Sequence, residues 1–338
     1  MRIALDAMGG DHGVAPGILG AIKAVEAAPD LTVVLVGDQA QIEPLLAEVR
    51  QDYRTRLEVF HCTEVVGMNE KPVEAIRKKP DNSIVRSWQL LATKKVDGLV
   101  SAGNTGAVVG AGLLSRRFLK GIRKPGIAAM MPSGDGKCVV LDVGANVFPK
   151  PSHLLHYGVM ASVFARTMLK IQNPRIGLMN VGEEEGKGHN LVQKTYELFQ
   201  NSSLKSQFIG NVEGRDVHKG TVDVIVTDGF VGNVLLKHAE GVLEFILGHV
   251  QQGILAKLPN DQAIAGQLLK KLMGQFHHSS TGGAPLLGVD GCCIICHGSS
   301  DERSISNALQ LAAQESRLKL NEKIVEELAL LPAVPEDD

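Results

Sequence analysis

The sequence predicts an α/β protein built on a largely parallel β-sheet. Short apolar runs alternate along the chain with segments of helical periodicity, which is the pattern of successive strand–helix units. Four of these runs end in small, polar and glycine residues, at 97–107, 139–146, 176–188 and 224–233. The chain also contains 37 glycines, more than average usage gives, as many tight turns require. Such turns at the carboxyl ends of parallel strands predict a ligand pocket there.

The clearest unit is the stretch DGLVSAGNTGA at 97–107. Leu99 and Val100 predict a buried strand, and the residues after Gly106 predict a helix. Asn104 or Thr105 can cap that helix, and the glycines allow a ligand to approach the backbone closely. The unpaired N–H groups and dipole at a helix N-terminus favour an anion.

The remaining elements follow the same alternation. We predict further strands at 2–5, 31–36, 56–61, 127–131, 138–141, 176–180, 207–209, 222–227 and 291–296, and expect the two near 127–141 to form a hairpin. Helices are predicted at 16–28, 39–50, 82–95, 152–169, 188–199, 231–258 and 304–330, the last capped by Ser304, and residues 63–80 are predicted to be irregular.

Composition limits the classes of function. A chain of 338 residues can form one large unit or two domains, and no linker or composition break marks a boundary. A net charge of −2 and 4% aromatic residues argue against a nucleic-acid partner. No apolar run is long enough for a membrane-spanning helix, and the N-terminal sequence is not of the secretory type. Five cysteines, an odd number, favour a reducing cytoplasm.

Several well-known catalytic motifs are absent. There is no G-x-S-x-G elbow, no P-loop and no G-x-G-x-x-G fingerprint, so acyl-serine, P-loop and dinucleotide chemistry lack support. The segment Cys293–His297 matches C-x-x-C-H, the haem attachment pattern, but its apolar context favours cysteines buried in a strand. A zinc site is disfavoured because no second ligand pair has the required spacing.

Charged and histidine residues near the glycine turns leave alternatives open. Glu183–Glu185 with His189 offers ligands for a divalent metal, or simply complements a helix dipole. Lys187 can steady a phosphate or an oxyanion. His12 is either an acid/base group or a hydrogen-bonding loop residue. The basic cluster Arg77–Lys79 is either a solvated face or a docking surface for an acidic partner.

An amphipathic segment lies at 250–278. Its apolar residues share one helical face with Lys270 and Lys271 between them; they are Leu268, Leu269, Leu272, Met273 and Phe276. The segment is predicted to face the core or a second subunit, or to lie in a membrane interface. The nearby pair His277-His278 is predicted to be exposed.

Eight stretches resemble segments of one protein family. They occur in the same order as in that family and span nearly the whole chain. They are IALDAMGGDHGVAP (3–16), SAGNTGA (101–107), LDVGAN (141–146), IGLMNVGEEEGKG (176–188), GNVEGRD (210–216), DVIVTDGFVGN (223–233), GGAPLLGVDG (282–291) and HGSS (297–300). Together they resemble the bacterial phosphate acyltransferases of phospholipid synthesis. Thr281 and residues 122–126 depart from the family pattern, which leaves the role of Arg123 open.

The resemblance implies a reaction and its setting. Inorganic phosphate attacks the thioester of long-chain acyl carrier protein and yields an acyl phosphate, which a membrane glycerol-3-phosphate acyltransferase consumes. It also implies a three-layer α/β/α fold related to the isocitrate and isopropylmalate dehydrogenases, spanning residues 1–338 as one unit with room for two lobes. It implies a homodimer and peripheral contact with the inner membrane surface as well. Separately from the resemblance, we expect no cofactor and assign no metal ligand.

We assign the site residues from the glycine turns and from the family resemblance together. Because phosphate is itself the nucleophile, the protein needs only to position it and to stabilise an oxyanion. The predicted catalytic residues are Lys187, His12, Asn104, Asn180 and Asn233. The predicted phosphate- and acyl-binding residues are Asp6, Gly9, Gly10, Gly103, Thr105, Gly106, Gly144, Asn146, Asp228, Gly229, Gly282 and Gly283.

Three alternatives belong to other classes. A dehydrogenase would need a nicotinamide site and a carboxylate cluster for a metal. A non-catalytic membrane-associated scaffold would bind neither phosphate nor thioester. A phosphotransacetylase would use short acyl-CoA, and dependence on acyl chain length would distinguish it.

Overall fold

A computed structural model gives the fold, and it describes residues 1–134, 136–255, 266–267 and 282–332. These residues contain eleven strands, β1 (Arg2–Asp6), β2 (Thr32–Gly37), β3 (Leu57–His61), β4 (Gly98–Ser101), β5 (Gly126–Ser133), β6 (Gly136–Leu141), β7 (Ile176–Met179), β8 (Phe208–Val212), β9 (Val224–Val226), β10 (Ala284–Leu287) and β11 (Cys292–Ile295).

The α-helices of the same residues are numbered in chain order. They are α1 (Ala15–Ala27), α2 (Gln39–Leu46), α3 (Gln51–Arg54), α4 (Pro72–Lys78), α5 (Ser83–Ala92), α6 (Thr105–Ser115), α7 (Pro151–Met168), α8 (Asn190–Gln200), α9 (Gly229–Leu255), α10 (Glu302–Arg317) and α11 (Leu320–Leu328), and a 3₁₀-helix spans Gly214–His218.

All eleven strands join one sheet in the order β3-β2-β1-β4-β11-β10-β5-β6-β9-β7-β8. The first five are mutually parallel, and so are β6, β9, β7 and β8. The steps β11–β10, β10–β5 and β5–β6 are antiparallel. Three reversals make the two parallel groups run in opposite directions, so their carboxyl ends open on opposite edges of the sheet. The predicted largely parallel sheet is thus confirmed within each group.

Helices cover both faces, which confirms three layers. In β1, Ile3 and Leu5 pack in one core with Ile18 of α1 and with α10, whereas the alternate residue Ala4 belongs to the core around Trp88 of α5. The second group repeats this arrangement, with α7, α8 and α11 on one face and part of α9 on the other. Alternate side chains therefore enter different cores, as a sheet buried on both faces requires.

Several elements differ from the predictions, among them the short helix α3, which was not predicted. The helix expected at 304–330 is two helices, broken where Lys319 adopts a left-handed φ of 53°. Its first part is capped by Asp301, whose carboxylate accepts the N–H of Ser304 at 2.8 Å. Pro72 begins a helix inside the stretch predicted to be irregular. The helix predicted at 39–50 ends at Leu46, and β10 was not predicted.

Helix α9 is the longest described element and is unusually exposed. At about 1.5 Å per residue its 27 residues span roughly 40 Å, about four times the length of the three-residue strand β9 that it follows. Phe230 and Phe245 are 62% and 64% exposed, and Val234, Val242 and Ile246 are also exposed. Within the described ranges, every helix is too short or too polar to cross a bilayer.

Candidate active site

The structure divides the predicted site residues between the two carboxyl edges of the sheet. We call the edge at which β1, β4 and β11 end the glycine-rich edge. The loops after these strands meet there: Asp11 donates its N–H to the carbonyl of Gly298 at 2.7 Å. A Cβ atom on Gly9 would lie 2.5 Å from the backbone nitrogen of Gly103. Only glycine permits this contact between two backbones.

Asp6 holds the loops of the glycine-rich edge in place through hydrogen bonds. Its Oδ2 accepts the hydroxyl of Ser101 at 2.7 Å, and that hydroxyl oxygen accepts the N–H of Gly103 at 3.1 Å. Asp6 is buried, and burial raises its carboxyl pKa against the opposing effect of its hydrogen bonds with Ser83, Ser101 and backbone N–H groups. Asp6 therefore positions the two glycine loops and is shielded from solvent.

In the turn before α6, some groups are used in hydrogen bonds within the protein and others are exposed. Asn104 caps α6 through its side-chain oxygen, which accepts the N–H of Ala107 at 3.1 Å. Its Nδ2 donates to the carbonyls of Met68 and Glu70 at 3.0 and 3.1 Å. Both ends of the amide are thus occupied, which corrects the prediction of a catalytic Asn104. Thr105 and Gly106 are exposed at the positive end of the helix dipole.

Other predicted residues of this edge differ in exposure. His12 is exposed on the loop after β1, and Gly10 has a left-handed φ of 112° beside the carbonyl of Gly298. Gly282 and Gly283 instead serve packing. A Cβ on either would lie 2.6 or 2.8 Å from backbone atoms of Asn307 or Ile295. The prediction that these two glycines approach a ligand is therefore not supported by their surroundings.

The second edge, at which β6, β9, β7 and β8 end, we call the lysine edge. The buried carboxylate of Asp142 follows β6. Its Oδ1 accepts N–H groups of Ile127, Gly144 and Ala145 at 2.9–3.0 Å, and its Oδ2 accepts that of Asn146 at 2.7 Å. Burial raises the pKa of Asp142, and these four donors act in the opposite direction.

Asn146 and Asp228 complete this network. The Nδ2 of Asn146 donates to the phenol oxygen of Tyr157 at 2.7 Å, and its carbonyl accepts the N–H of Gly229 at 2.8 Å. Asp228 caps α9 by accepting the N–H groups of Phe230 and Val231 at 2.9 and 3.0 Å. The N–H groups of 144–146 and 229–231 are therefore already satisfied, which corrects the prediction that the turn at Gly144–Asn146 binds an oxyanion.

Lys187 and Asn233 remain available at the lysine edge. The Lys187 side chain is 52% exposed, and its Nζ lies 3.6 Å from Oε1 of Glu184. Asn180 shapes this loop, because its Oδ1 accepts the N–H of Val181 at 2.8 Å and its Nδ2 donates to the carbonyl of Lys187 at 3.1 Å. The Asn233 side chain is exposed and lies beside Gly144. An exposed cation and an exposed amide thus border the ends of β7 and β9.

The sequence predicts that the glycine turns line one crevice. Within one chain this prediction is wrong, because the turns lie at opposite edges of the sheet. Gly103–Gly106 follows β4 and Gly144–Asn146 follows β6, and these strands run in opposite directions through the sheet. Strand order and direction depend on non-local pairing, which the local turn pattern does not report. The residues that sequence reasoning overlooked are Ser101, Asp142 and Tyr157, the first two of which lie inside the glycine-turn segments.

The structure also bears on the metal, cysteine and membrane-segment hypotheses. Glu183 and Glu184 pair with Arg215 and Lys187 at 3.6 Å, and the described residues contain no cluster of three metal-ligating side chains. Cys293 and Cys296 are buried in and after β11, where burial raises their thiol pKa values. The five predicted membrane residues lie outside the described residues: Leu268, Leu269, Leu272, Met273 and Phe276.

Comparisons with known proteins bear on the whole chain. The sequence model of the family described as "Fatty acid synthesis protein" matches residues 1–323. A phosphate acyltransferase of Dictyoglomus turgidum is 45% identical over 97% of this chain and 98% of its own. One of Desulfitobacterium hafniense is 44% identical over 99% and 100%.

Solved structures resemble the fold. A phosphotransacetylase from Streptococcus pyogenes superposes with a TM-score of 0.62 at 16% identity, covering 93% of each chain. One from Staphylococcus aureus gives 0.59 at 14% identity, covering 94% of each. These similarities identify a phosphotransacetylase-like α/β fold, and the relation to the isocitrate dehydrogenases stays a prediction.

Proposed function

This chain belongs to the family of phosphate acyltransferases, and from that premise we propose that it transfers a long-chain acyl group from acyl carrier protein to inorganic phosphate. The observation that carries the proposal is the 45% identity to a curated phosphate acyltransferase across 97% of the chain. The acyl phosphate product then serves glycerol-3-phosphate acylation in phospholipid synthesis.

The available groups suit this reaction. Phosphate supplies the nucleophilic oxygen, and the bond from the acyl carbon to sulfur breaks as the new bond to oxygen forms. Lys187 supplies countercharge to phosphate, and Asn233 offers a neutral donor beside it. The thiolate leaves without a general acid, because a thiol pKa is about 8.5. His12 and the exposed first turn of α6 are the donors that the glycine-rich edge offers to the thioester oxygen.

We propose that a homodimer unites the two edges. Helix α9 begins at the lysine edge and outruns the sheet, and its exposed apolar side chains require a cover. If two copies pair their α9 helices antiparallel about a two-fold axis, the start of each helix lies beside the end of the other. This would bring Lys187 of one copy toward the glycine-rich edge of its partner.

The carrier protein is acidic, and the best docking surface for it adjoins the lysine edge. Five cations lie within 116–124 and all of them are exposed: Arg116, Arg117, Lys120, Arg123 and Lys124. The segment leads to Pro125, whose carbonyl accepts Nδ2 of Asn146. The alternative cluster, Arg77–Lys79, is partly neutralised: Lys78 lies 3.6 Å from a Glu74 oxygen and Lys79 lies 2.6 Å from one of Glu70.

Membrane association belongs to the same proposal. A water-insoluble acyl phosphate is best released at a bilayer, where a membrane glycerol-3-phosphate acyltransferase can take it. The amphipathic pattern of 250–278, with Leu269 and Leu272 on its apolar side, is the supporting observation. We therefore propose a cytoplasmic enzyme peripherally bound to the inner membrane surface.

One second candidate deserves a test. The solved structures with the same fold include phosphotransacetylases, which favours a related enzyme that uses short acyl-CoA. The deciding experiment measures thiol release from palmitoyl carrier protein with and without inorganic phosphate, with hydroxylamine to trap acyl phosphate. Phosphate-dependent release with trapped product is the expected result. Release from acetyl-CoA alone would favour the second candidate, and phosphate-independent release would indicate a thioesterase.

A further inference from the structure

A cavity of about 710 Å³ lies across the sheet from the glycine-rich edge, on the same side as the ends of β6, β9, β7 and β8. It opens where β4 and β11 begin, and the end of α10 and the start of α11 close it on one side. Its volume falls within the range of small-molecule sites in proteins. Its apolar walls are Leu91, Val96, Phe118, Leu119, Leu320 and Val325.

Glu315 of α10 is the group in this cavity that most needs a partner. It is 5% exposed, and its Oε2 accepts the thiol of Cys292 at 3.0 Å. Its Oε1 is buried and has no hydrogen-bond partner in the described part of the chain. A buried polar oxygen without a partner is rare in native proteins and calls for a bound group that satisfies it.

Positive charge is available close to Glu315. Lys319 precedes α11 in the left-handed conformation, and no side chain caps that helix. The first turn of α11 therefore lacks a capping side chain, and Glu322 in that turn complements the positive end of the dipole. Lys319 and Lys120 both line the cavity, and neither forms an ion pair within the described residues.

The acidic groups of the cavity are mostly engaged elsewhere. Asp290 lies 2.8 Å from the ammonium of Lys94, and Asp97 accepts the N–H of Arg2 at 2.8 Å. Glu322 and Glu326 are on α11 at the rim. Among the lysines that line the cavity, Lys120 and Lys319 are thus the two that no carboxylate of the described residues pairs with.

From this arrangement we propose that the cavity binds an amphipathic oxyanion, with an apolar body against Phe118 and Leu320 and an anionic head held by Lys120, Lys319 and Glu315. Phosphate and carboxylate heads share this chemistry. An alkyl chain of about ten carbons fits a cavity of this size. The lining does not include Lys187, Asn233 or His12, so this site is distinct from the residues that we assign to the reaction.

Protonation of Glu315 makes such binding dependent on pH. Burial raises the pKa of this carboxyl to about 7, and only the protonated form donates a hydrogen bond to an anion. Titratable and charged groups surround the Glu315 carboxyl on every adjoining element. They are the thiols of Cys292 and Cys293, the carboxyls of Asp97, Asp290, Glu322 and Glu326, and the amines of Met1, Lys94, Lys120 and Lys319. Uptake of one proton by a group with a pKa of about 7 predicts an affinity about fivefold weaker at pH 8 than at pH 7.

The test is calorimetric titration of the full-length protein with decyl phosphate, decanoate and inorganic phosphate at pH 6, 7 and 8. Decyl phosphate and decanoate are expected to bind more tightly as pH falls, and inorganic phosphate is expected to lack this dependence. Glu315→Gln retains a donor of the same shape, so binding should persist while its pH dependence disappears. Lys120→Met with Lys319→Met should weaken binding at least tenfold.

Lys323→Met is the matched control, since Lys323 is exposed on α11 outside the cavity wall. If decyl phosphate binds the double lysine variant as tightly as the wild type, the cavity is not its site. Equal pH dependence in Glu315→Gln would also overturn the proposal. Thiol release with palmitoyl carrier protein and phosphate, measured in Glu315→Gln, which lies outside the docking segment 116–124, reports separately on the proposed function.

Discussion

The carboxylate of Asp142 receives the backbone N–H of Asn146 at 2.7 Å while its other oxygen receives three more N–H groups. One buried side chain therefore satisfies four backbone donors of the lysine edge. The loop after β6 is held by this carboxylate, and its glycines and asparagine serve the loop rather than the substrate. The chemistry of that edge falls to Lys187 and Asn233.

The first prediction concerns this network. Asp142→Asn replaces an acceptor oxygen by an amide that faces N–H donors, so we expect a loss of about 3 kcal/mol in unfolding free energy. Urea denaturation measures it. Asp228→Asn, which changes an ordinary helix cap, should cost about 1 kcal/mol or less. Equal losses in the two variants would show that Asp142 is no more than a cap.

The second prediction tests Lys187. Lys187→Ala removes the countercharge for phosphate, and we expect kcat/KM for phosphate to fall about 100-fold, as for the loss of one oxyanion donor. KM for acyl carrier protein should change little. Lys194→Ala removes an exposed cation from α8 and should leave both constants unchanged. Unaltered phosphate kinetics in Lys187→Ala would remove this residue from the site.

The third prediction tests the shared site. Gly9→Ala places a Cβ against Gly103 and Asp6, and activity should fall more than tenfold. Gly17→Ala is the control, because its Cβ would meet neighbours only at 3.9 Å. Circular dichroism would establish that both variants fold.

The same variant then reports on the dimer. If the site draws on two copies, co-expression of Gly9→Ala with Lys187→Ala restores one intact site in each mixed dimer. Random pairing gives about a quarter of wild-type activity. If the co-expressed variants show only the summed activity of the two separate variants, the proposal that two copies share one site is wrong. Either one chain supplies both groups, or one of the two edges does not contribute to the reaction.

The fourth prediction concerns the donor. Reversing charge at Arg116 and Lys124 to Glu should raise KM for palmitoyl carrier protein about tenfold or more, chiefly at low salt, because attraction to an acidic partner is lost. Activity with palmitoyl-CoA should be preserved. Arg77→Glu with Lys78→Glu makes the same change in charge on α4. A larger effect there would move the docking surface to that helix.

The fifth prediction follows from the raised pKa of Glu315. Its carboxyl titrates near 4.5 when unfolded and at about 7 when folded, so the folded chain binds the proton more tightly. The contribution of Glu315 to stability is complete below pH 4.5 and is lost as pH rises through 7. Glu315→Gln should remove up to roughly 3 kcal/mol of that loss at pH 8. Denaturation at pH 5 and 8 measures it, and parallel pH profiles would contradict the burial argument.

Local pattern predicted much of this fold. The alternation of Ile3, Ala4 and Leu5 and the glycine turn after Ser101 are local features that dictate strand and turn. The direction of β6 relative to β4 depends on β10, a four-residue strand containing Pro285, and no local signal reports its pairing. Lys187 and Asn233 are exposed, and their catalytic roles stay predictions. The engagement of Asn104 and the burial of Gly282 arise from contacts distant in sequence.

The position of β11 has a consequence for synthesis on the ribosome. This strand is made after residue 291, yet it lies between β4 and β10 and is the bridge from the first parallel group to the rest of the sheet. Until it emerges, β4 presents an unpaired edge beside a finished β1–β2–β3 unit. A nascent chain must therefore keep that edge from other strands until nearly the whole sequence has been translated, and C-terminal truncation before β11 should yield aggregation rather than a smaller folded protein.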